Sequence, residues 1–192
     1  MNEIEKNEFS QLAERQIGSE EIFDGVIMHV FRDKVELPDG STSSREVIRH
    51  IGAVCVIPVT DEGNVILERQ YRYPLGQVMT EIPAGKLDYV GEDHFDAIKR
   101  ELKEETGYSA ECWQELGWFY PAAAYSDEKI MMYLATGLHK GEQTLDQGEF
   151  LNVFEMPLKE AVAQVISGEI TDSKTQTAIL KAANVLQNRF AE

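Results

Sequence analysis

The stretch that decides the reading begins Gly85-Lys86-Leu87-Asp88-Tyr89-Val90-Gly91-Glu92 and closes on Arg100-Glu101-Leu102-Lys103-Glu104-Glu105-Thr106-Gly107-Tyr108. Its first part lies in a glycine-containing loop, Pro83 to Gly91. Its second predicts a helix from about Asp93 to Thr106, ended by Gly107 where a left-handed residue commonly caps a helix. Glu101, Glu104 and Glu105 fall within an arc of about 100° on one helix face, beside an apolar stripe of Phe95, Ile98 and Leu102. Like charges at this spacing repel by a few tenths of a kcal/mol per pair, and the negative end of the helix adds to the cost. A hard divalent cation offsets such a cluster, and Mg²⁺ commonly combines one or two carboxylates with substrate phosphates and waters. Spacing alone also allows a solvated acidic face.

Working outward, Glu21 to His50 reads as a small β-meander, with Val35-Glu36-Leu37 before the turn Pro38-Asp39-Gly40 and Glu46-Val47-Ile48 after it. Gly52 to Val59 is a continuous apolar run suited to a strand buried on both faces, followed by a turn at Asp61-Glu62-Gly63-Asn64 and a strand from Val65 to Tyr71. Beyond the helix, strands are expected near Gly117–Tyr120, Ile130–Thr136 and Phe150–Met156. Helices then follow over Leu158–Ser167 and Ser173–Asn188, the latter capped by Asp172. Residues 1–16 are polar, with Ile4, Phe9 and Leu12 as anchors, and read as a short docking helix or a disordered segment. This order implies an α/β chain of the α+β kind, divided into an N-terminal meander over 1–50 and a main domain over 51–192.

The chain has 192 residues, 43% of them hydrophobic, enough for one well-cored domain with a modest appendage. Its 34 acidic against 18 basic side chains, a net charge of −16, exclude nucleic acid and anionic membrane as natural partners and favour cations. No apolar run approaches the ~20 residues that cross a bilayer, and the start lacks a basic segment leading into an apolar one, so a cytoplasmic protein is expected. Cys55 and Cys112 lack metal-ligand spacing and are expected to be reduced structural thiols.

Gly85, Glu92, Arg100, Glu101, Glu104, Glu105 and Gly107 together resemble the Nudix box, and Glu92 to Tyr108 matches its pattern throughout. Six residues separate Gly85 from Glu92, one more than the family pattern, and the insertion is expected to bulge at Tyr89-Val90. The resemblance implies a mixed β-sheet sandwiched by helices, with Glu101 and Glu105 as chief ligands of Mg²⁺, for which Mn²⁺ substitutes. It further implies Glu104 as a third carboxylate close to the catalytic step, the Ala84 carbonyl as a metal ligand, and Arg100 as the residue that orients the carboxylates and pairs with Glu92.

Resemblance beyond the box, from Phe23 to about Ala182, is to the ADP-ribose and nucleoside-diphosphate-sugar pyrophosphatases. In that branch Arg72 of Gln70-Tyr71-Arg72 is implied to contact a ligand phosphate or ribose, and Glu81 to orient water or anchor the loop. Asp146-Gln147-Gly148-Glu149-Phe150 resembles the acidic loop carrying the base, which makes Glu149 the candidate. Arg49, with Arg45 and His50 beside it, is placed for an anionic substrate or for local salt bridges, and Glu128 is a further substrate-contact candidate. Trp118, Tyr120 and Tyr125 suit stacking on a base or sugar, with core packing the plainer alternative. The branch implies a homodimer completed by the meander.

The expected reaction is Mg²⁺-dependent hydrolysis of the diphosphate of ADP-ribose, or another nucleoside diphosphate sugar, to a nucleoside monophosphate and a sugar phosphate. Ala122-Ala123-Ala124 stands where ADP-ribose hydrolases resemble Ser-Pro-Gly, which brings GDP-mannose or a broad hexose preference into view. A silent nucleotide-sugar sensor is the alternative of another class. Repelling acids plus a base serve a hydrolase better than a binder.

Overall fold

In the computed structural model of the protein, residues 9–189 are described; the expectation for residues 1–8 lies outside them. Two compact units emerge, one comprising residues up to His50 with Ala122–Glu128, the other Ile51–Pro121 with Lys129 onward.

The first unit is an antiparallel sheet of β1 (Arg15–Asp24), β2 (His29–Glu36) and β3 (Thr42–Arg49). Asp39 shapes the β2–β3 turn by accepting from the Ser41 amide (2.9 Å) and hydroxyl (2.6 Å). The ladder begins at Arg15 opposite Glu36, six residues before the expected meander start at Glu21. Every residue of β1 is exposed, so it carries no burial pattern to read; backbone pairing and ion pairs such as Arg15–Glu36 hold it. Residues 122–128 join this unit, the Ile48 amide donating to the Tyr125 carbonyl (2.8 Å) and the His50 amide to Asp127 (2.7 Å).

In the second unit the apolar run gives β4 (Ala53–Pro58), buried throughout. There follow β5 (Asn64–Arg72), β6 (Gln77–Glu81), β7 (Ala84–Lys86), α1 (His94–Thr106), β8 (Tyr108–Phe119), β9 (Ile130–Lys140), β10 (Leu151–Pro157), α2 (Leu158–Ser167) and α3 (Ser173–Arg189). The strands form a four-stranded sheet, β7-β4-β9-β8, in which β4 and β9 run parallel, and a three-stranded antiparallel sheet, β10-β5-β6. Alternate residues of β4 enter opposite cores. Cys55 and Ile57 pack with Ala161, Val165, Ala178 and Ile179 of α2 and α3, while Val54 and Val56 pack with Ala97, Ile98 and Leu102 of α1. Each fully buried aliphatic contributes roughly 1.5–3 kcal/mol. The expected mixed-sheet sandwich is present, with its strands divided between two sheets.

The strand expected near Gly117–Tyr120 is the end of the much longer β8, whose half-exposed first part shows no clean alternation. Phe95 lies at the margin of its stripe, edge-on to Trp113 at 5.5 Å. Trp118, Tyr120 and Tyr125 are all exposed, against the core-packing alternative. Cys55 is buried, which pushes its thiol up to about 12, whereas Cys112 is exposed rather than structural. Among the described residues no helix is long and apolar enough to cross a membrane.

Gly107 ends α1 with φ of +76°, its amide bonded to the Lys103 carbonyl at 2.9 Å. A Cβ there would lie 2.9 Å from both the Gly141 carbonyl oxygen and the Gln143 amide nitrogen. Gly107→Ala is therefore expected to cost at least about 1–2 kcal/mol from the left-handed backbone alone, measurable by urea unfolding; unchanged stability would contradict the fit.

Candidate active site

Asp93 starts α1 by accepting from the amides of Phe95 (2.9 Å) and Asp96 (3.0 Å). The extra loop residue is absorbed just upstream. Tyr89 and Val90 face solvent, and Gly91 turns the chain with φ of +89°. Glu92 then points back, its carboxylate accepting from the Asp88 amide at 2.6 Å.

Arg100 extends across this carboxylate group. One terminal nitrogen donates to Glu101 (2.9 Å) and Glu104 (3.2 Å), and the other reaches Glu92 and Asp88, each at 3.4 Å. One guanidinium thus faces four carboxylates. Burial pushes Glu101 up to about 7, with the charges of Glu104 and Glu149 adding to it and Arg100 opposing. Glu105, only 4% exposed, is raised well above the usual carboxylate range by burial, then by Glu68 and Glu101. The Ala84 amide, donating to it at 2.9 Å, offsets only part of this. Gly85 is needed for close approach, because a Cβ there would collide with the Glu101 carboxylate.

Glu68 and Lys174 were not singled out from the sequence. The available signal for Glu68 was an acid ending the apolar run Val65-Ile66-Leu67; for Lys174 it was proximity to the Asp172 cap, which accepts from the Thr175 amide at 2.9 Å. Glu68 is 1% exposed and sits directly opposite Glu81 in the β5–β6 ladder. Burial and the Glu81 charge push it up to about 8, against the pull of Lys174 and Arg72. Glu81 behaves oppositely. Arg72 grips it with two nitrogens, each at 2.7 Å, and Lys174 pairs with it as well. Burial would raise Glu81, but these partners outweigh it and hold the carboxyl below its ordinary range.

Glu149 follows a turn in which its amide donates to the Asp146 carbonyl at 3.1 Å, and its charge acts on Glu68, Glu101 and Glu105. The preceding loop is tied to the end of α1, the Thr144 amide donating to the Glu104 carbonyl (3.0 Å) and Gln143 to the Glu105 carbonyl (2.5 Å). The structure thus gathers Ala84, Arg100, Glu101, Glu104 and Glu105, with Glu149 near enough for its charge to act on Glu101 and Glu105 and with Arg72 and Glu81 linked through Glu68. Arg49 and Glu128 belong to the first unit. Arg49 is engaged by Asp33 at 3.1 Å and lies over Phe31, and Arg45 pairs with Glu14 at 2.5 Å, as the local salt-bridge alternative had it. The Glu128 amide donates to the Ser126 hydroxyl at 3.1 Å.

This donor set fits a hard divalent cation. Its donors are carboxylate oxygens, those of Glu105 and Glu68 nearly fully buried, the acids outnumber Arg100, and one Glu68 oxygen is buried without a hydrogen-bond partner. A different cluster lies in the first unit, where Glu21, Asp24 and His29 bring ligand atoms within 4.8 Å of one another. Both of those acids are exposed and His29 already bonds Asp24 at 2.6 Å, an ordinary surface ion pair.

Comparison with known proteins adds independent findings. The NUDIX domain family matches residues 49–175, and the nucleoside diphosphate sugar hydrolase N-terminal domain matches residues 14–48. The ADP-ribose pyrophosphatase of Bacillus subtilis (strain 168) is 42% identical over 170 residues, covering 88% of this chain and 91% of that protein. The methanol dehydrogenase activator of Bacillus methanolicus is 44% identical over 168 residues, 86% of this chain and 90% of its own. A GDP-mannose pyrophosphatase of Yersinia enterocolitica is more distant, 30% identical over 155 residues, 73% of this chain and 80% of its own. The crystal structure of an ADP compounds hydrolase superposes with a TM-score of 0.83 over 93% of this chain and 97% of that one at 23% identity, a likeness of fold.

The raised carboxylates set a pH dependence. A carboxyl whose folded pKa exceeds its unfolded one favours the native state most below the unfolded value and loses that contribution as pH rises through the folded value. With Glu101 near 7 and Glu68 near 8, the metal-free protein is expected to lose thermal stability between about pH 5 and pH 8. Saturating Mg²⁺ should flatten or reverse that trend, because protons and cation compete for the same oxygens. Thermal scans with EDTA and with Mg²⁺ across this range check it; a chelated protein that gains stability towards pH 8 would contradict the assignment.

Proposed function

The chain belongs to the Nudix hydrolase family, and on that premise we propose that it hydrolyses the diphosphate of ADP-ribose, giving AMP and ribose 5-phosphate. The observation that carries the proposal is the cluster of Glu101 and Glu104 on the Arg100 guanidinium beside the buried Glu105, with the Glu149 charge acting on Glu101 and Glu105. So many acids would repel a diphosphate unless a cation stood between them. Mg²⁺, or Mn²⁺ in its place, would be held by Glu101, Glu105 and the Ala84 carbonyl with Glu104 at the margin, and would supply charge neutralisation of the diphosphate and acidification of water.

The protein's own groups supply the rest. Arg100 fixes the rotamers of Glu101 and Glu104, so that the carboxylates are placed before substrate arrives. Glu149 is the base: it accepts the proton of the water that attacks phosphorus as the bond to the bridging oxygen breaks and the phosphate leaves. Arg72, its Nε and one terminal nitrogen held by Glu81, keeps the other terminal nitrogen for a substrate phosphate or ribose. Lys174, itself balanced by Asp172 at 3.1 Å, shares the Glu81 charge, so that Glu81 does not neutralise Arg72 alone.

The 1–50 segment serves, in this proposal, as the dimerisation element. Exposed Ile17, Ile22, Phe23, Ile27 and Met28 in and beside β1 support a second copy as the partner. Arg49 and Glu128 are retained as substrate contacts, Arg49 once an anion competes with Asp33.

Incubation with Mg²⁺ and, separately, ADP-ribose, GDP-mannose, UDP-glucose and ATP tests the reading through phosphatase-releasable product. ADP-ribose should be cleaved fastest and EDTA should abolish turnover. Glu105→Gln should lose more than about 100-fold in rate, and Glu149→Gln about 10²–10⁴-fold in kcat with cation binding intact. Faster cleavage of GDP-mannose would move the substrate assignment, and binding of all four without cleavage would favour the sensor.

A further inference from the structure

Among the described residues, Glu68 carries the only buried carboxylate oxygen without a hydrogen-bond partner. Its Oε2 is buried without a partner in a side chain 1% exposed. A buried carboxyl placed this way keeps its proton unless a compensating charge reaches it. Two candidates for that charge, Arg72 and Lys174, are already committed to Glu81.

The strand register shows which face of β5 carries this side chain. Glu68 follows Ile66 by two residues and therefore shares its face of β5, and Ile66 packs in the core formed with Ile98 and Leu102 of α1. On α1, Glu105 stands three residues after Leu102, and Glu68 is the strongest charged influence on it. Glu68 thus approaches the carboxylate array from the sheet, while Glu101 and Glu105 approach from the helix.

We propose that Glu68 is an additional carboxylate donor to the cation site, closing it from the sheet side and strengthening its hold on a divalent cation before any nucleotide is bound. This rests on the metal-dependent reading of Glu101 and Glu105 given above and adds a ligand from a different element. The lone oxygen on β5 and the charge excess on α1 then have one common compensation.

The test uses the full chain and Mn²⁺ alone, without nucleotide, following free Mn²⁺ by electron paramagnetic resonance. Glu68→Gln and Glu68→Leu run in parallel, so that one can fail to fold without ending the test, with Glu105→Gln as comparator. The expected result is at least about tenfold weaker Mn²⁺ binding in both Glu68 variants, with a metal-free Tm equal to or above that of the parent because a buried ionisable group crowded by Glu81 and Glu105 is gone. Parent-like Mn²⁺ affinity in the Glu68 variants, with binding lost in Glu105→Gln, overturns this inference alone; so does a lowered Tm with unchanged affinity, the signature of a purely structural carboxylate. Unchanged affinity in Glu105→Gln as well overturns the metal-dependent reading together with this one.

Discussion

Burying Glu68, Glu101 and Glu105 beside one another disfavours their ionised forms at a free-energy cost, and the second unit is organised to sustain it. The cost is met by packing elsewhere. β4 contributes to both cores, and α1 is anchored by Ile98 and Leu102 on the flank beside its acids. Because the helix is fixed by apolar contacts that do not depend on the site, its Glu101 and Glu105 cannot swing away to relieve their repulsion. The energy of the core is thus converted into a standing affinity for positive charge.

Three backbone features make the approach of these groups feasible. Gly85 leaves room for the Glu101 carboxylate, the Ala84 amide orients Glu105, and Gly107 reverses the chain so that Gln143 and Thr144 tie the Glu149 loop to the end of the same helix. Each joins the strand-rich part of the unit to α1 by a contact too short or too directional to survive a loose fit. Division of the strands into two sheets has a related consequence. β5 and β6 place Glu68, Arg72 and Glu81 as a group separate from β4 and β7, which carry Ala84, so that α1 faces donors from both sheets.

Legibility in the sequence followed the physics of each element. The helix over 94–106 could be read because its cap, stripe and terminating glycine agree, and β4 because burial on both faces demands unbroken apolarity. β1 could not be read in full, since all its residues are exposed and pairing to β2 across backbone and side chains defines it. The first part of β8 was obscured by half-exposed residues of mixed polarity. At the site, helical spacing displays Glu101, Glu104 and Glu105 in one dimension. Glu68 joins them only through β5–β6 registry and strand facing, which are long-range properties. Lys174 is remoter still, brought to Glu81 by a helix that begins some ninety residues later.

The contrast between Glu68 and Glu81 shows why the protein leaves part of its charge uncompensated. Both are buried on one face of the same ladder, directly opposite each other. Glu81 receives Arg72 and Lys174 and, with Asp172 on Lys174, becomes a fixed ion cluster that leaves part of the Arg72 guanidinium accessible. Glu68 feels both cations but pairs directly with neither, and burial beside Glu105 keeps its carboxyl raised. A third permanent cation there would have stabilised the fold, but it would also have occupied the space an exchangeable one needs. A fixed side chain neutralises acids without offering open coordination positions, whereas a divalent cation neutralises them and still has room for phosphate oxygens and water. Lost stability at Glu68 and Glu105 is therefore the structural counterpart of a site that must take up its positive charge from solution and present it to an anionic substrate.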